Sequence, residues 1–326
     1  MTRGNCWRVI QWVLAVCLLG FLVGYARRYW SDIWALPVRF DWMWASQGAI
    51  LVLLSNLVQI TLFQYFLQGN GLRLGFLTAW RIFSLPQAGK YIPGKVTALA
   101  ALSYMLKGAG LSLQHALAAA LVFNIVALLS GLIVGLFLLP VWAQHASLLV
   151  IVLSIGTALL SVLALCTPWF WSLVNYGLAR LKREPLREYP SGRAMTRLIM
   201  GWILYWFLIG GGVFAITLAF VEAPPKSFPL VLAAFSLSCF VSNLSLLTPA
   251  GLGIREVLLV GIISNGSALA FATVFAAASR LAMVLNDIVM IGGAWFLSSK
   301  LSGQKDLQAA PLRPDVSKDT GGHRPG

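Results

Sequence analysis

Long apolar runs at residues 7–25, 42–67, 116–139, 148–170, 198–220 and 268–297 alternate with short polar stretches. Each is long enough, at 1.5 Å per residue, to cross the ~30 Å hydrocarbon core of a bilayer as a helix. Two further apolar runs are interrupted. The first carries Pro86, Gly89, Lys90, Tyr91, Pro93, Gly94 and Lys95. Its apolar arms, about 74–85 and 96–106, are too short to cross. The second carries Pro249, Gly251, Gly253, Arg255 and Glu256 between 229–247 and 254–263. Both follow one plan: an apolar arm, a Pro/Gly turn with a cation, then a new helix start. Non-helical backbone survives at membrane depth only inside protein or beside a wet cavity, because lipid offers N–H and C=O groups no partner.

The pattern predicts an all-α polytopic membrane protein with about six full spans and two re-entrant broken-helix hairpins. One transmembrane bundle covers residues 1–300, and 301–326 reads as a disordered cytoplasmic tail. Arg3 and Arg8 precede the first run, but no small-residue cleavage box follows it, so 7–25 is expected to be a retained span. The hydrophilic stretch 180–197 is rich in Arg and Lys and marks the cytoplasmic side. Counting from it places both termini in the cytoplasm and gives the broken elements opposite entrances. Units of about 42–139 and 198–297 then form an inverted repeat whose discontinuous helices meet near the midplane. A competing layout, in which 229–247 crosses fully and 257–278 crosses back, keeps the same parity. The shortness of the first element favours the re-entrant form.

Composition narrows the class. Of 326 residues 59% are hydrophobic and 10% charged, with mean hydropathy +0.82, which excludes an ordinary soluble domain. The net charge of +14 sits between apolar spans, where it reads as topology signal and anionic-lipid contact, so no nucleic-acid partner is expected. Cys6, Cys17, Cys166 and Cys239 form no CxxC, and His115, His145 and His323 are isolated. No disulfide framework, metal or cofactor is expected.

The candidate chemistry lies in the few intramembrane charges. Lys90, Lys95 and Arg255 stand beside helix starts at about 96 and 254, where free N–H groups and the positive dipole end favour phosphate or carboxylate. The bland alternative is that the lysines snorkel and the prolines only shape turns. Glu256, Arg280 and Asp287 need partners or water. Arg280 and Asp287 share a helical face about 10 Å apart in rise, so each is expected to pair across helices, for example Glu256 with Arg280, or to serve a proton relay. Ser55, Asn56 and Gln59 lie within one turn and suit either helix packing or a polar path.

The motifs Gly89-Lys90-Tyr91-Ile92-Pro93-Gly94-Lys95 and Pro249-Ala250-Gly251-Leu252-Gly253-Ile254-Arg255-Glu256, with Arg280 and Asp287, resemble the lysylphosphatidylglycerol synthase transmembrane family, also called flippase-like integral membrane proteins. The resemblance spans nearly the whole chain. It implies translocation of an anionic phospholipid, aminoacyl-phospholipid or lipid-linked glycan precursor across the inner (plasma) membrane. It also implies a substrate-binding role for Lys90, Tyr91, Pro93, Gly94, Lys95, Pro249, Gly251, Gly253, Arg255, Glu256, Arg280 and Asp287. No stretch reads as a soluble aminoacyl-transferase domain, so synthase activity is not expected. The expected partner is membrane lipid, with a homo-oligomer or a complex with a lipid- or glycan-modifying enzyme left open. The rival readings are a non-catalytic partner of an envelope lipid or polysaccharide synthase and an enzyme acting on polyprenyl phosphate. The second lacks paired carboxylates in a loop or a histidine near an arginine cluster.

Overall fold

The computed structural model describes residues 40–91, 96–142, 147–180, 191–222, 227–244, 251, 253–264 and 269–301. The expected first span at 7–25 and the tail beyond 301 lie outside them. Among the described residues the regular structure is entirely helical: α1 Trp42–Gly69, α2 Phe76–Ser84, a 3₁₀ helix Leu85–Tyr91, α3 Val96–Gly108, α4 Leu113–Trp142, α5 Leu148–Cys166, α6 Pro168–Arg180, α7 Gly192–Leu218, α8 Ser227–Leu244, α9 Ile254–Ser264 and α10 Leu269–Leu301.

Six of these helices are long and apolar enough to cross a membrane: α1, α4, α5, α7, α8 and α10. Five coincide with the uninterrupted runs of the sequence. The sixth, α8, is the first arm of the second broken element; its 18 residues rise about 27 Å. Length therefore admits α8 as a full crossing as well as a re-entrant arm. It is the most enclosed of the six, with 61% of its window buried against 17% for α5. The exposed leucines of α5, among them Leu149, Leu153, Leu160 and Leu163, form a lipid-facing flank.

The chain enters α1 through Asp41, whose carboxylate accepts the Met43 N–H at 2.8 Å as an N-cap. The Asp41 N–H in turn donates to the Ala219 carbonyl at the end of α7, at 3.0 Å. Further along, a Cβ on Gly48 would lie 2.6 Å from the Gly212 carbonyl, and one on Gly201 would lie 2.3 Å from the Leu62 side chain. Contacts whose numbers rise on one helix as they fall on the other make α1 and α7 antiparallel. Only glycine permits such close backbones, the small-residue packing by which helices associate in lipid.

Two aromatic cores flank this pair. Phe63, Phe66, Phe83, Phe123 and Trp202 interlock α1, α2, α4 and α7 around the first broken element. Trp206, Phe235 and Phe275 join α7, α8 and α10 around the second. Tyr205 stacks edge-on against both Trp202 and Trp206 and connects the two cores.

Both interrupted runs are interrupted in space. The stretch 85–91, expected as a turn, is instead a 3₁₀ helix continuing α2. It folds back on the start of α3, with the Thr97 hydroxyl donating to the Gly89 carbonyl at 2.6 Å. A Cβ at Gly89 would lie 2.7 Å from the Ala98 nitrogen. In the second element Gly251 and Gly253 adopt φ of 71° and 83°, the left-handed region where glycine alone escapes strain.

Candidate functional site

The helix that gathers the site is α10. Arg280, Met283 and Asp287 follow one another at helical spacing along a single face, and the two broken elements dock at its two ends.

At the Asp287 end, the first broken element supplies Lys90 and Tyr91. The Lys90 ammonium lies 2.7 Å from the Asp287 carboxylate, and the Tyr91 hydroxyl donates to the other carboxylate oxygen. Asp287 is 9% exposed, so an ionised carboxylate is tolerable there only because a cation and a hydroxyl meet it. Next to it, Asn286 exchanges hydrogen bonds with Asn56 of α1. Of the polar trio on α1, Asn56 makes this cross-helix bond, whereas the Ser55 hydroxyl donates back to the Val52 carbonyl.

At the Arg280 end, the second element supplies Arg255 and Glu256 from the first turn of α9. The Glu256 carboxylate accepts the Gly253 N–H at 2.8 Å, half of a capping box. Its other oxygen lies 3.8 Å from Arg280. The pairing of Glu256 with Arg280 is one the sequence suggested; that of Lys90 and Tyr91 with Asp287 is one it did not name.

Among the described residues Arg255 has no such counter-ion. Its guanidinium stacks 4.8 Å from the centroid of Phe235, and its Nη1 meets the sulfur of Met283, a weak acceptor. The Nε and Nη2 groups are buried with no hydrogen-bond partner among the described residues. The residue is only 5% exposed. A guanidinium has a fixed fork of donors and cannot shed its proton, so two unmatched buried donors are costly unless an acceptor takes them.

The two ends are joined along α10. Met283, which meets Arg255, stands one turn from both Arg280 and Asp287. Of the residues singled out in the sequence, Lys90, Tyr91, Arg255, Glu256, Arg280 and Asp287 therefore share one neighbourhood. Gly251 and Gly253 shape its second wall, with Gly251 pressed on Ser242 of α8. Pro93, Gly94, Lys95 and Pro249 lie outside the described residues.

The family model described as lysylphosphatidylglycerol synthase TM region matches residues 8–289, which contain both broken elements and every charge just described. The chain belongs to this family. The match supports a multi-pass membrane protein related to lipid synthesis or transport. No curated protein matches the chain. The family match takes in Asn286, Phe235 and Met283, which sequence reading passed over. Asn286 carried a usable signal, an amide beside a carboxylate in an apolar run. Phe235 carried none, being one phenylalanine among many.

Proposed function

We propose that this member of the lysylphosphatidylglycerol synthase transmembrane family is a lipid translocase of the inner (plasma) membrane rather than an enzyme. Its cargo is an anionic phospholipid, aminoacyl-phospholipid or lipid-linked glycan precursor. The headgroup phosphate binds Lys90, Lys95 and Arg255, taking the unmatched donors of Arg255 at the N-terminus of α9. The acyl chains stay on the lipid-facing side of the bundle, and the repeat units 42–139 and 198–297 rock about the fixed site, with both termini cytoplasmic.

The observation that carries this reading is the buried Arg255 guanidinium beside a helix start, with two N–H groups unmatched among the described residues. Arginine's planar fork suits a phosphate oxygen pair, and the helix end adds backbone donors and a positive dipole. Removing such a charge-assisted contact costs about 1.5–3 kcal/mol, enough to cut occupancy ten- to a hundredfold.

The test is translocation of a fluorescent anionic phospholipid in reconstituted vesicles, read by an impermeant quencher. Wild-type protein should accelerate exchange between leaflets. Arg255→Ala and Lys95→Ala should abolish it while melting cooperatively in detergent. Unchanged exchange in both variants would end the assignment. Wild-type protein that exchanges no lipid yet co-purifies with a synthase would favour the non-catalytic partner.

A further inference from the structure

On the outer face where α1, α2 and α10 meet there is a groove of about 320 Å³, separate from the charged cluster. Its walls are aliphatic: Leu53, Leu54 and Leu57 from α1 and Val289 from α10, with the Trp80 indole of α2 closing one side. Those four aliphatic side chains are among the exposed large hydrophobics, so the groove opens sideways toward hydrocarbon rather than water. Its floor is buried Ile60, Met290 and Asn56.

Three features set this groove apart from an ordinary lipid-facing flank. Along α1 the lining runs from Ile50 to Ile60, about 15 Å at helical rise, which is half the ~30 Å hydrocarbon core and so the depth of one leaflet. It adjoins the charged cluster: Asn56, its polar lining residue, bonds Asn286, the neighbour of Asp287, and Met290 lies one turn beyond Asp287. Its side wall is fixed, because the Trp80 indole donates to the Met290 carbonyl at 3.2 Å and rests where a Cβ on Gly293 would come within 2.9 Å of it.

We propose that this groove seats one hydrocarbon chain of the lipid whose headgroup is held at the charged cluster, with the Asn56–Asn286 pair as the sill between chain and headgroup. The inference rests on the headgroup reading above and adds a second determinant of substrate class. The cargo must carry a long, unbranched or isoprenoid-like chain able to lie along α1, so a short-chain analogue of the same headgroup should bind at the cluster without using the groove.

Leu57→Trp fills the groove, and Leu153→Trp places the same bulk on the exposed flank of α5 as a control. Two probes separate chain from headgroup: dioleoyl phosphatidylglycerol, followed by retention in native mass spectrometry and by exchange in vesicles, and short-chain dihexanoyl phosphatidylglycerol, followed by binding alone. Leu57→Trp is expected to weaken dioleoyl lipid retention and exchange about tenfold, the loss of roughly two methylenes' burial, with dihexanoyl binding unchanged. Leu153→Trp should alter neither. Gly293→Ala, which pushes the indole into the groove, should act in the direction of Leu57→Trp. Equal effects of the two tryptophans, or loss of both probes in Leu57→Trp, would overturn the proposal. A Leu57→Trp variant that keeps both probes but changes oligomeric mass would assign the groove to a second copy, also against it. If wild-type protein binds both probes and Leu57→Trp keeps both, the groove alone fails. If wild-type protein binds neither probe, the headgroup reading fails and the groove proposal with it.

Discussion

Asp287 is the residue whose environment asks most of its partners. It accepts from Lys90 and Tyr91 together, and the Lys90 side chain is 30% exposed where that of Asp287 is 12% exposed. Removing the carboxylate leaves a partly exposed cation and a hydroxyl; removing the lysine leaves a buried carboxylate met by the Tyr91 hydroxyl alone. Lys90→Ala should therefore destabilise the bundle more than Asp287→Ala, with a coupling of about 1 kcal/mol or more in the double-mutant cycle, measured by unfolding in micelles. Additive effects would show that the pair is not formed. Gly251 offers a second comparison at the same scale. Its positive φ is combined with a position 2.7 Å from Ser242 for any added Cβ, whereas Gly253 has the positive φ and open space. Gly251→Ala should lower stability by about 1–3 kcal/mol, and Gly253→Ala by strain alone, nearer 1 kcal/mol.

At the level of helices, what was legible in the sequence was the set of long apolar runs and the two places where they break. Chain length against bilayer thickness decides those locally. What was not legible depended on neighbours. The stretch 85–91 holds two breakers, Pro86 and Gly89, yet forms a 3₁₀ helix, with the Thr97 hydroxyl at the start of α3 donating to its Gly89 carbonyl. The run 148–170 reads as one span in the sequence. It divides after Cys166, where Thr167 turns extended with ψ of 148° ahead of Pro168, and the Trp171 indole donates to the Leu165 carbonyl across the bend. The residue before proline resists the helical region, so that signal was present and was masked by the apolar residues around it. The α1/α7 pairing was legible only as parity. Its physical basis is Gly48 against Gly212, and Gly48→Leu should separate the helices and cost about 1–3 kcal/mol of stability. Gly156→Ala on the open face of α5, with nothing within 4 Å, should cost nothing in the same melting assay.

Across the whole molecule, two apolar cores each support one broken element, and α10 carries the charges that tie both together. Long-range pairing of this kind, such as Lys90 with a carboxylate 197 residues away, leaves no local trace in sequence; only the expense of an unpaired charge in lipid announced that a partner had to exist. Among the described residues the buried charged side chains gather where the two elements dock on α10, with Arg255 in the same neighbourhood as the Lys90–Asp287 pair. The convergence of the two elements on α10 is thus the claim on which the translocase reading depends. It is tested most directly by cross-linking in native membranes, in a background with Cys6, Cys17, Cys166 and Cys239 replaced. Tyr91→Cys with Asp287→Cys, and Arg255→Cys with Met283→Cys, should each be joined by a short bifunctional thiol reagent, and an anionic phospholipid should slow the first reaction, in which Arg255 is kept. Failure of both pairs to cross-link, while a control pair at Asn56 and Asn286 does so, would contradict it.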